Sequence, residues 1–184
     1  SPKIKYEGKS ILNEKHIFIK NSTDNIEDKI YGDGVVENVI IPIGERFDFG
    51  YLDKKIRKSK TKEIILKEDI SFKNYEMDYY EGGIELDIDN LIIDGNGHTI
   101  DAREKTRIFY CTGKNITLKN ITFKNGHSHK NYDNPFNNHG GAIRILRNAN
   151  LTIKNCKFIN NTSEGFGGVI QNDNDELFVS ESTL

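Results

Sequence analysis

The residues best suited to chemistry are the carboxylates gathered over Glu85, Asp87, Asp89, Asp94 and Asp101. On one strand, Glu85, Asp87 and Asp89 would alternate onto a single face, where they can share a divalent cation or work as an acid/base pair. The apolar residues between them, Ile84, Leu86 and Ile88, fit a half-buried strand whose outer face is simply solvated. That is how the group reads: no Asp recurs on neighbouring repeats, and no Arg or Lys stands at a matching position. The run from Asp94 to Gly97 has the opening of a calcium loop, but its twelfth position is Lys105, where a Glu is needed.

A second group lies in a 14-residue insert, Gly126 to His139. His127, His129 and His139 with Asp133 have the residue types of a zinc site, and His-x-His puts two imidazoles on one strand face. The insert reads instead as a surface excursion with no metal or other cofactor, for which ligand contact is the candidate role. Tyr132 and Phe136 offer ring faces to a glycan or a surface protein, beside the three histidines. Lys54, Lys55, Arg57, Lys58, Lys60 and Lys62 form a basic run, which reads as a solvated face. With 26 basic against 28 acidic residues and a net charge of -2, no nucleic-acid partner is expected. Cys111 and Cys156 read as small buried hydrophobes. No catalytic residue is assigned.

The elements that carry these groups follow from composition and repetition. The chain has 184 residues, with 26 Ile and 21 Asn but only 3 Ala. Ile favours extended structure, Asn favours turns, and Ala is the best helix former, so a helical bundle is excluded. Three segments align without gaps: Asn115 to Asn125, Asn150 to Asn160 and the shorter Glu176 to Leu184. A looser copy starts at Asn90. Their starts are separated by 25, 35 and 26 residues, the long interval holding the insert. Within each copy apolar residues alternate, as in Ile116 and Leu118 or Leu151 and Ile153, and this period of two means strand. Between the strand pairs sit Asn120 and Asn155, where the chain must turn.

About three short strands per copy at a period near 25 residues predict an all-β fold, a right-handed parallel β-helix of about four rungs. One rung cannot bury enough apolar surface alone, so copies must stack. Asn120 and Asn155 should then lie one strand spacing apart and form an amide ladder, ending at Glu181. Residues 1–62 show no repeat and read as an irregular N-terminal cap. Residues 63–184 read as the β-helix, truncated at Leu184, because an uncapped last rung would expose strand edges. Within the lead-in, residues 51–62 fit a short helix or a loop.

The paired elements Gly140-Gly-Ala-Ile143 with Phe158-Ile-Asn-Asn161, and Gly167-Gly-Val-Ile170, carry a resemblance. The last 120 residues resemble the adhesin-like proteins of methanogenic archaea and, through them, the polymorphic outer-membrane protein repeats. The resemblance implies a pectate-lyase-like β-helix on a secreted or surface-anchored protein. Val169 in place of Ala and the insert depart from the pattern.

The expected function is therefore a non-catalytic cell-surface module that displays loops and contacts glycans or surface proteins. The alternative is a polysaccharide lyase or hydrolase of the same shape. No apolar run is long enough to span a bilayer. Six N-x-[ST] sequons, at Asn21, Asn115, Asn120, Asn150, Asn160 and Asn161, fit a surface protein. Asn21 and Asn161 are the ones expected to be exposed.

Overall fold

The computed structural model describes residues 17–22, 36–43, 46–129, 138–174 and 177–183. Tyr132, Asp133 and Phe136 therefore lie outside the described residues. The chain forms two compact units, Ser1–Arg46 and Phe47–Leu184. In the first, β1 (Ile17–Ser22) pairs in parallel with β2 (Val36–Ile43). Both are Ile- and Val-rich runs, stiffened toward strand by β-branching.

The second unit opens with α1 (Phe49–Lys58). Phe49, Leu52 and Ile56 recur at helical spacing and are fully buried. The Asp48 carboxylate caps the first turn by accepting from the Tyr51 N–H at 2.8 Å. Glu76 completes that cap from a distance, accepting from the Gly50 N–H at 2.7 Å, and it also bonds back to the Lys73 N–H of its own turn at 2.9 Å. Burial raises the Glu76 carboxyl above its ordinary value, against the pull of these backbone donors. The buried stripe of α1 packs with Ile64, Leu66, Ile70 and Phe72 in one core, and the Phe49 and Phe72 rings meet edge to face at 5.2 Å.

A parallel coil follows. Its first turn holds β3 (Glu63–Ile65), β4 (Ile70–Ser71), the short helix α2 (Met77–Tyr80) and β5 (Ile84–Leu86). The second holds β6 (Ile92–Asp94), β7 (Thr99–Asp101) and β8 (Phe109–Cys111). The third holds β9 (Ile116–Lys119), β10 (Thr122–Lys124), β11 (His127–Ser128) and β12 (Ile143–Ile145). The fourth holds β13 (Leu151–Lys154), β14 (Lys157–Ile159), β15 (Thr162–Ser163) and β16 (Ile170–Asn172). A fifth begins with β17 (Phe178–Ser180).

Equivalent strands stack into sheets ordered β3-β6-β9-β13-β17, β4-β7-β10-β14 and β5-β8-β12-β16, with β11 beside β15. Every pairing is parallel, which makes the unit a parallel β-helix. Register turns sequence alternation into columns: Ile93, Leu118 and Ile153 stack inward, as do Phe123 and Phe158. The two Phe rings stack with nearly parallel planes and centroids 4.9 Å apart, one strand spacing.

The corners explain the abundance of Asn. Asn90, Asn115, Asn120, Asn125, Asn155 and Asn160 all have positive φ, a conformation Asn tolerates better than most residues. Their side chains also join rungs. Asn155 Nδ2 donates to Asn120 Oδ1 at 2.8 Å, and Asn120 Nδ2 donates to Asp94 Oδ1 at 2.9 Å. A second corner repeats the device, with Asn125 Nδ2 donating to Asp101 Oδ1 at 2.9 Å. Glu181 occupies the next corner in the column, also at positive φ. Gly140 and Gly167 recur for the same kind of reason: each has φ near +65°, and a Cβ at Gly140 would strike the Ile143 carbonyl.

The corner Asn also corrects one expectation. Asn161 is buried, at 9% exposure, with Oδ1 accepting from Gly126 N–H and Nδ2 donating to the Phe123 carbonyl. Asn160 takes the corner and turns its neighbour inward, so the sequon at Asn161 is not an exposed one.

Candidate functional site

The carboxylates between Glu85 and Asp101 do not converge. The strand that carries Glu85 ends at Leu86, so Asp87 and Asp89 leave its face. Asp89 Oδ1 accepts from the Lys114 N–H at 2.7 Å, and Asp101 and Asp94 anchor the two corner bonds. The expected lack of basic partners is overturned. Lys119 is the register partner of Asp94 and its Nζ lies 3.3 Å from the carboxylate. Arg57 reaches from α1 to pair with Asp87. Desolvation raises the Asp94 carboxyl, but Asn120, the Asn96 N–H and Lys119 outweigh it and hold the group below the usual Asp value.

Arg57 leads instead to a groove that sequence reading missed. Its Nε contacts Asp53 Oδ1 at 3.1 Å, and its Nη2 donates to the Glu85 carbonyl at 2.9 Å. The groove, about 600 Å³ in volume, runs from α1 and α2 across β5, β8 and β12. Its floor is the outward column Glu85, Tyr110 and Arg144, one residue from each successive rung. Tyr79 stands at its edge with 81% of its surface exposed. Tyr80 donates its hydroxyl to Asp53 Oδ2 at 3.1 Å, and its phenol is raised by burial and then by the Asp53 charge.

The polar groups around this groove are held by their neighbours. Thr112 donates to Glu85 Oε1 at 3.1 Å, and Arg144 Nη2 lies 3.1 Å from Asp173 Oδ2. Arg107, only 1% exposed, donates to the carbonyls of Gly82, His139 and Gly140, tying the turn before β5 to the paired glycines before β12. Burial, then the nearby Arg144 charge, pushes it down to about 10. The groove thus offers tyrosine rings and pre-oriented charged groups, which suits recognition of a polar polymer with ring-shaped units.

The insert histidines part company. His139 stacks on Phe166 at 5.1 Å and accepts from the Phe166 N–H at 2.8 Å. Burial, then Arg144, lowers its imidazole below the ordinary value. His127 and His129 stay together, their ring centroids 4.2 Å apart, and face Glu164 from the next rung. The basic run lies on and after α1, where Lys55 sits 5.2 Å over the Tyr51 ring and Lys62 donates to the Asp89 carbonyl. Both thiols are buried, which pushes Cys111 up to about 12 and raises Cys156.

Residues 48–164 match the sequence model of a family described as a putative pectate lyase-like adhesive domain. No curated protein and no solved structure matches the chain. Among the described residues, no helix is long and apolar enough to cross a membrane.

Proposed function

The chain belongs to the pectate lyase-like adhesive domain family, and from that premise we propose that it is a non-catalytic cell-surface module which grips glycan chains in the groove over β5, β8 and β12. The observation that carries this reading is the floor of the groove. Along a coil that repeats itself elsewhere, Glu85, Tyr110 and Arg144 are three different chemistries in one column. Tyr79 adds an exposed ring at the rim, where a sugar face can stack. Asp53, Glu85 and Asp87 are each engaged by a donor or a cation, an arrangement that favours holding a ligand over moving protons. The buried stripe of α1 against the first rung supports a shielding role for the part of the lead-in that α1 occupies.

Binding of the labelled protein to a broad glycan array tests this. Reproducible binding that disappears in Tyr79→Ala and Tyr110→Ala is the expected result. Tyr132→Ala with Phe136→Ala, run on the same array, separates recognition by the insert from recognition by the groove. No binding to any glycan, or release of shortened saccharides from a bound one, would sink the reading.

A further inference from the structure

We propose that His127, His129 and Glu164 form a binding site for a divalent transition-metal ion, of which Zn²⁺ is the best fit, clamping two rungs together at the base of the insert. His127 Nε2 lies 3.6 Å from Glu164 Oε1, and His129 Nδ1 lies 3.9 Å from the same oxygen. All three ligand atoms fall within 4.8 Å of one another. Zinc bound at 2.0–2.2 Å in tetrahedral geometry holds its ligand atoms about 3.4 Å apart, so small side-chain rotations close the site. Two imidazoles and a carboxylate are a donor set that zinc accepts, with a fourth position left for water or a ligand.

The backbone places these groups before any ion arrives. β11 pairs with β15 so that His127 faces Thr162, and the Glu164 N–H donates to the Ser128 carbonyl at 3.1 Å. The His127 Nδ1 is 2.6 Å from Thr162 Oγ1. Donation from Nδ1 to that hydroxyl leaves the Nε2 lone pair directed at the Glu164 side, the outer support typical of metal-bound His. The side chains are 20%, 50% and 45% exposed, so an ion can enter from solvent. The cluster uses His127 and His129 from one rung and Glu164 from the next.

Titration calorimetry of the untagged chain with Zn²⁺ tests this directly, with Ca²⁺ as the contrasting ion. One equivalent of Zn²⁺ should bind, Ca²⁺ should not, and a hundredfold excess over Kd should raise the melting temperature by about 5–10 °C. His129→Ala and Glu164→Gln should each weaken Zn²⁺ binding at least about tenfold. Both positions are well exposed, so the metal-free variants should melt close to the parent. X-ray absorption of the zinc-loaded chain should show two imidazoles and oxygen. No zinc binding, or binding equally tight in both variants, overturns the site.

Discussion

Two outward columns of the same coil obey opposite rules. At the corner, Asn155 and Asn120 repeat one side chain from rung to rung, Asn155 bonded to Asn120 and Asn120 to Asp94, which directly precedes the corner below. On the groove floor, Glu85, Tyr110 and Arg144 share a register but no chemistry. A stacked fold repeats a residue where that residue's partner is its own copy one spacing away. On the proposed reading of the groove, it varies the residue where the partner is a ligand. The first column should therefore govern stability and leave binding alone, and the second should do the reverse.

The inward Phe column sets the upper end of that scale. Phe123→Ala removes a ring stacked on Phe158 and should cost about 3–5 kcal/mol in chemical denaturation. Next comes Asn120→Ala, which breaks bonds to both neighbouring rungs and should cost about 1–3 kcal/mol. Asn120→Gly sharpens that case, because glycine accepts the positive φ while losing the amide. A glycine variant that melts like the parent would show that backbone geometry alone mattered. It would end the claim for the amide bonds.

Acid should weaken the corner by a smaller amount. Asp94 is held below its unfolded value, so its contribution is complete above the ordinary Asp range. It is lost as pH falls through the lowered native value. Melting temperature should fall over that interval, and less steeply in Asp94→Asn. Equal slopes in the two proteins would place the acid sensitivity elsewhere. The smallest stability effect belongs to the groove: Tyr79→Ala should change unfolding by no more than about 0.5 kcal/mol. If it unfolds the protein, the distinction between the columns collapses.

The same rule explains what is legible in the sequence. The coil and the Asn120–Asn155 contact were legible because repetition reveals register, and register fixes which side chains meet. Even Lys119 beside Asp94 was within reach, since both directly precede equivalent corners. The groove was not. Asp53 and Arg57 come from a helix outside the repeat, Tyr79 from a second helix, and its floor from rungs that differ. Nothing in the spacing of those residues marks them as neighbours. Glu164 was hidden similarly, because the insert stretches the interval between equivalent positions of these two rungs to 35 residues. Glu85, Asp87 and Asp89 misled for the opposite reason: their alternation suggests one strand, but the strand stops at Leu86.

The between-rung bonds also bear on chemical ageing. Asparagine followed by glycine is prone to lose its amide when the glycine nitrogen attacks the side-chain carbonyl carbon and closes a succinimide ring. Asn96-Gly97 and Asn125-Gly126 are such pairs. In both, the attacking nitrogen is occupied: Gly97 N–H donates to the Asn120 carbonyl at 2.9 Å, and Gly126 N–H to Asn161 Oδ1 at 2.7 Å. Ring closure must first break a bond that holds two turns together. Conversion at Asn125 would set a second carboxylate against Asp101, where an amide donor now sits at 2.9 Å. The coil is thus protected by its own stacking from the reaction that would begin to unstack it.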